Sequence, residues 1–213
     1  MIESATGIIL RTRPLTETSL IVHWLTPTSG RISTVAKGVR RPKSPFAGKL
    51  DLYYEADFNF TRSRRSELHI LREVSLPKTH ATLRKELGRL RQVAYAAALI
   101  EQTTEVDTPL PEIHALMHGF LQLIPERHSV PQALFAFELK LLSELGQHPN
   151  VDEVHLTPGA KALINALGRA DWNSVFRLKV SEVQTHELRQ YLHGFLIYHL
   201  GRIPRGRDAA IAR

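Results

Sequence analysis

Between Leu50 and Phe60 the chain alternates. Leu50, Leu52, Tyr54, Ala56, Phe58 and Phe60 fall on one parity, and Asp51, Tyr53, Glu55, Asp57 and Asn59 on the other. A period of two sends one set into a core and the other into water, so the spacing predicts a strand with an acidic wet face. Four more short runs have β character: Thr6–Arg13, Ser19–Thr26, Arg31–Gly38 and Leu68–Val74. Pro27–Gly30 and the polar stretch TRSRRSE supply turns between them. Five short strands without a long helix predict a small closed or partly open barrel.

From about residue 78 the period lengthens. Thr79–Thr104 carries Leu83, Leu87, Leu90, Val93 or Ala94, Ala97 and Ile100 on one helical stripe, and Pro111–Ile124 carries Ile113, Leu116, Met117, Phe120 and Ile124. Ser129 is the expected N-cap of a third helix, with Gly146 just past its end. Thr157-Pro158 reads as an N-cap followed by a first-turn proline, and Gly168 as the stop of that helix. Val183–Leu200 is the last predicted helix. The tail GRIPRGRDAAIAR offers few anchors and is expected to be disordered. The expected architecture is therefore α+β, with a five-stranded barrel over residues 1–78 and an all-helical domain over residues 79–213.

Charge adds a partner class. The chain carries a net charge of +7, and residues 1–80 hold 13 Lys/Arg against 7 Asp/Glu. The stretch Arg31–Lys49, RISTVAKGVRRPKSPFAGK, has six basic residues and no acidic one. Such asymmetry points to an anionic partner for the first third of the chain. Alternation puts Ile8 and Leu10 on one face of the first strand, and hence Arg11 and Arg13 on the other. It likewise sets Arg31 and Lys37 opposite Ile32, Thr34 and Ala36. A flexible arm adds Arg40, Arg41, Lys43 and Lys49, and the later turn adds Arg62, Arg64 and Arg65. These eleven residues are the candidate phosphate contacts, on the first three strands and the loops and away from Asp51, Glu55 and Asp57. Solvated loops that serve only solubility are the plain alternative. Trp24 and Tyr53 are the aromatic candidates for base stacking, but Trp24 shares a face with Leu20 and Val22, which favours the core.

Chemistry of other kinds has no foothold. Gly48-Lys49 is followed by Leu50 and lacks the earlier glycine of a phosphate loop. His114 and His118 are four apart, but Ala115 stands where a zinc protease needs glutamate, so both read as helix-surface histidines. With no cysteine, neither a disulfide nor a thiolate metal site is available. The longest apolar run, Val93–Ile100, is far short of the roughly 20 residues of a membrane span. The start, MIESATGIIL, lacks the basic residues of a secretion signal. A cytoplasmic protein without cofactor or enzymatic activity is expected.

The segment GIILRTRPLTETSLIVHWLTPTSGRISTVAKGVRRPKSPFAGKL resembles the RecO family, as do FELKLLSELGQHPNVD, LTPGAKALINAL and YHLGR. The resemblance implies an N-terminal OB barrel and a C-terminal helical domain. It also implies binding of single- and double-stranded DNA, annealing of complementary strands coated by single-strand-binding protein (SSB), and, with RecR, help in loading RecA. A nucleoid-associated location follows from it. Many members insert a four-cysteine zinc module in the helical domain. Here Gly146–Pro149 passes through Val151-Asp152 to Leu156 with no room for one, so no structural zinc is expected. For the acidic, apolar-ended SSB tail, Arg84, Lys85, Arg89, Arg91, Lys140 or Arg177 could form a basic rim. An RNA-binding module, a basic scaffold for an acidic protein, and an unrecognised nuclease remain the rival readings.

Overall fold

The computed structural model describes residues 1–151 and 154–212, with residues 1–80 and 104–118 forming one compact unit and residues 81–103 and 119–213 the other. Asp152, at the expected zinc-module junction, lies outside the described residues.

The first unit is a closed barrel of β1 (Ile2–Pro14), β2 (Leu20–Thr26), β3 (Gly30–Ala36), β4 (Glu55–Thr61) and β5 (Leu68–Lys78), in the order β1-β2-β3-β5-β4. Only β3 and β5 run parallel. This is the five-stranded barrel that the pattern predicts, and it matches the OB fold that the family resemblance implies. Its core holds Ile9, Val22, Trp24, Ile32, Ala36, Phe58, Phe60, Leu71 and Val74. Trp24 stacks on Phe58 at 4.0 Å and donates from Nε1 to Thr34 Oγ1 at 2.8 Å. The buried indole N–H thus finds a partner, as burial requires.

Three local expectations are corrected. The strand expected from Leu50 starts only at Glu55, because Tyr53 takes a left-handed φ of 66° and breaks the extended run. Tyr53 is then buried, its N–H bonded to Ile9 O, and Glu55 is buried too, so neither stands on a wet face. In β1, Ile8 and Leu10 are buried as expected, but Ile9 is buried with them and joins the cluster around Trp24. A bulge between Ile9 and Arg11 shifts the register, pairing Ile9 with Trp24 but Arg11 with His23. Without that extra residue, Arg11 and Arg13 would share the inward parity of Ile9.

The arm is not a loose loop either. Successive turns link Arg41 to Gly38, Ser44 to Arg41, Ala47 to Ser44 and Lys49 to Phe46 through backbone hydrogen bonds. Phe46 is buried in the barrel core, and Val39 and Leu50 pack against the same cluster. The aromatic ring is what holds a glycine- and proline-rich stretch down, since burying it removes its apolar surface from water.

The second unit contains α1 (Leu87–Thr103), α3 (Pro131–Glu144), α4 (Pro158–Arg169), α5 (Trp172–Arg177), α6 (Glu182–Leu200) and α7 (Arg207–Ile211). The division between the units falls within α2 (Pro111–Leu123). The N-cap of α3 is Val130, one residue beyond Ser129, and Pro131 supplies its first turn. Gly146, at φ 74°, ends α3 with the paired bonds Gly146 N–H to Ser143 O and Gln147 N–H to Leu142 O. Thr157 caps α4 as expected, but that helix runs past Gly168 to Arg169. At that end the Lys140 ammonium donates to the carbonyls of Gly168 at 3.1 Å and Ala170 at 2.6 Å. Ser181 and Gln184 open α6 with a reciprocal capping box.

The tail departs most from expectation. Arg207, Ala210 and Ile211 are buried, and α7 packs on α1 and α3. Arg207 forms a two-pronged ion pair with Glu138, at 2.7 and 2.8 Å, and donates to Arg189 O at 3.1 Å. Tyr95 donates to the same carboxylate at 2.8 Å.

Candidate nucleic-acid interface

The barrel register gathers cations at one end. β1 ends at Pro14, paired with Leu20 at the start of β2, and Leu20 pairs with Ala36 at the end of β3. Arg13 therefore lies beside the point where the arm leaves the sheet. Arg40 N–H bonds to Thr18 O at 3.2 Å, fastening the first turn of the arm to the β1–β2 connection. Lys37 and Arg41 line a groove of about 410 Å³ with Leu15, Thr16, Thr18 and Ser19. Arg13, Lys37, Arg40, Arg41 and Lys43 are exposed, and no ion pair holds them among the described residues. Like charges left without counterions are a site for a polyanion.

His23 reports the resulting field. It sits across from Arg11 on one side and Ser33 on the other, with Ser33 Oγ 3.2 Å from its Nδ1. Burial, then the charges of Arg13, Arg11 and Arg31, push its pKa down to about 4. Because the unfolded imidazole titrates near 6.5, the folded state loses stability as pH falls from that value through about 4. A phosphate placed among these arginines offsets their charge. The His23 pKa is then expected to rise from about 4, so DNA binding takes up a proton and tightens as pH falls from about 6.5 towards 4. Titrating the His23 ring by NMR with and without an oligonucleotide checks this; a pKa still near 4 in the complex would place the DNA elsewhere.

Not every candidate belongs to this cluster. Arg31 Nε donates to Thr104 Oγ1 at 2.8 Å and its Nη2 to Thr104 O, while Asp107 N–H bonds to Arg31 O. Its guanidinium thus fastens residues 104–107 to β3. Arg62 is shared between Glu3 and Asp107, each at 2.9 Å. Arg64 and Arg65 are exposed on the β4–β5 turn. That turn leads into Leu68, which pairs with Ser33, so it faces the Gly30 end of β3, roughly 20 Å from Lys37 at 3.3 Å per residue. Lys49 donates to Val74 O on β5, at 3.2 Å, and lines a separate groove of about 760 Å³. The aromatic candidates are both interior.

Some residues of consequence have no sequence signal. Glu55 lies between His80 Nε2 at 2.6 Å and His118 Nδ1 at 2.9 Å, and His118 stacks on His114. Burial by itself raises the Glu55 pKa, but the His80 hydrogen bond and the two imidazole charges bring it below its ordinary value. His114 and His118 are thus tied into a polar cluster instead of standing idle on a helix surface. Nevertheless, no group of three His, Cys, Asp or Glu is arranged to hold a metal ion among the described residues. Among the expected rim residues, Arg84, Lys85, Arg91 and Arg177 are exposed, whereas Arg89 is paired with Glu86 and Lys140 is committed to α4. No helix among the described residues is long and apolar enough to cross a membrane.

The family profile described as Recombination protein O N terminal matches residues 1–80, the barrel and its arm. The profile described as Recombination protein O C terminal matches residues 84–155. The chain belongs to the RecO family. Among curated relatives, the protein of Rhodopirellula baltica is 34% identical over 143 residues, covering 67% of this chain and 53% of its own length. That of Anaeromyxobacter sp. strain K is 31% identical over 147 residues, covering 69% and 58%. The Symbiobacterium thermophilum protein is 33% identical over 153 residues, covering 68% and 57%. All three are named DNA repair protein RecO. This RecO-family chain thus aligns with little more than half the length of these relatives, and the two profiles end at residue 155, ahead of LTPGAKALINAL and YHLGR.

Proposed function

We propose that this RecO-family chain acts in DNA repair as a recombination mediator that grips the backbone of single- and double-stranded DNA. The observation that carries the reading is the cluster of Arg13, Lys37, Arg40, Arg41 and Lys43, five exposed cations without ion-pair partners among the described residues, at one end of an OB barrel. Family membership and the names of the relatives support the setting.

Phosphate contacts are indifferent to sequence, and the interior position of Trp24 and Tyr53 removes the two foreseen base platforms. Backbone binding of that kind suits annealing, because two complementary strands of any sequence can be neutralised and brought together. The chain anneals strands coated by SSB and, with RecR, assists RecA loading in this reading. It makes and breaks no covalent bond and uses no cofactor, and it works in the cytoplasm at the nucleoid. The acidic SSB tail meets the helical unit.

The test is the annealing rate of two labelled complementary oligonucleotides pre-coated with SSB, at low and moderate salt, without nucleotide. Salt-sensitive acceleration is the expected result. Tight binding to bare strands with no acceleration would sink the mediator role. A preference for RNA of equal length would favour an RNA-binding module, and metal-dependent loss of the DNA would point to a nuclease.

A further inference from the structure

Residues 104–110 run as a strap along the start of β3. Val106 bridges in parallel to Arg31, and Gly30 approaches so closely that a Cβ there would lie 1.7 Å from Thr108 O. Asp107 adopts a left-handed φ of 53°, and its N–H is fixed to Arg31 O at 2.9 Å. Its carboxylate is thereby delivered to one place: Oδ1 lies 2.9 Å from Arg62 Nη1, which is backed by the buried His69 with Nε2 at 3.3 Å.

We propose that Arg62 forms a phosphate-binding subsite for a nucleic-acid backbone, filled in the free protein by Asp107, whose carboxylate an incoming phosphate displaces. The subsite rests on the DNA-binding reading above and adds to it a second contact point, at the opposite end of β3 from the arm.

The exchange is chemically even-handed. A guanidinium binds phosphate as it binds carboxylate, through charge-assisted hydrogen bonds. The Arg62 side chain is 34% exposed and that of Asp107 41%, so water and ions reach the pair and its rupture costs little. Glu3 holds Nε of Arg62. The guanidinium therefore stays in position while Nη1 changes partner. Arg64 and Arg65 stand exposed on the same turn, so an anion nearing Arg62 meets two further cations that the carboxylate of Asp107 does not neutralise.

A double-mutant cycle on the full chain tests this, with a labelled single-stranded oligonucleotide titrated across salt. Asp107→Asn keeps a residue that tolerates positive φ and removes the charge. It is expected to bind about fivefold tighter at 0.1 M salt, the worth of an exposed ion pair that no longer has to be broken, with the salt slope unchanged because Arg62 meets the phosphate in both proteins. In an Arg62→Gln background the same change is expected to do nothing. Glu105→Gln, which removes a neighbouring exposed charge, controls for general electrostatics and should show no dependence on Arg62. Should Asp107→Asn unfold at lower temperature than the parent, Asp107→Gly repeats the test with another residue suited to positive φ. A gain that survives Arg62→Gln, or no gain in either variant, overturns the subsite while leaving the arm in place. A parent that binds no oligonucleotide at any salt removes the DNA reading and the subsite together.

Discussion

Arg207→Ala is expected to destabilise the helical unit by about 3–5 kcal/mol, the cost of breaking a buried ion pair from one side. Glu138 is fully buried on α3 and Arg207 is 4% exposed. Two charge-assisted bonds join them, and removing the guanidinium leaves the carboxylate, among the described residues, with the Tyr95 hydroxyl alone. In the intact triad, burial and the Glu138 charge push the Tyr95 phenol far above its usual range, so it remains a donor at any working pH. The penalty carries a pH signature. An isolated buried carboxylate has its folded pKa raised above the unfolded value near 4.3. The variant is therefore least impaired below that value and loses stability as pH rises towards the raised pKa. Urea unfolding at pH 5 and pH 8 measures the difference. Glu138→Leu combined with Arg207→Met is expected to recover most of the loss, since the apolar pair leaves no unpaired charge. A single variant as stable as the parent at both pH values would mean that the tail does not hold the unit together.

Replacing Arg13, Arg40 and Arg41 together by Ala is expected to weaken single-stranded DNA binding about 100-fold at 0.1 M salt. Each phosphate contact on a single strand adds about 0.7 to the salt slope, which is about fivefold in affinity at that concentration. Removing three cations from the phosphates should therefore also flatten the slope by about 2. The residues are exposed and lie outside the barrel core, so folding is expected to be unchanged. Anisotropy titrations over a salt series, with thermal unfolding as the control, provide both quantities. An unaltered slope would remove the arm and its neighbours from the interface. Arg31→Ala makes an instructive contrast. Its guanidinium is committed to Thr104, so its loss should act through the strap before it acts on DNA.

Much of the first unit was legible because a strand reveals itself in a few residues. Ile32, Thr34 and Ala36 against Arg31 and Lys37 needed only alternation, and Trp24 declared its interior role by sharing parity with Val22. Arg11 and Arg13 were assigned to the correct face by a parity that the bulge at Ile9/Arg11 then altered around them. The same logic failed at Tyr53, where one left-handed residue ended the run and turned Glu55 inward. The arm was recognised by charge, but the anchoring of Phe46 was not, since a lone aromatic among glycine and proline has no period to read.

The sequence by itself determined a barrel followed by helices and the concentration of positive charge in the first third. These follow from local periodicity and composition, which are properties of neighbours along the chain. Only the tertiary structure decided which cations stay available. Arg31 and Arg62 are engaged by residues 104–107, Lys140 by the end of α4, and Arg207 by Glu138, at separations of 28 to 73 positions. A charge's partner is set by distance in space, and for these three arginines and one lysine no spacing in the chain encodes it.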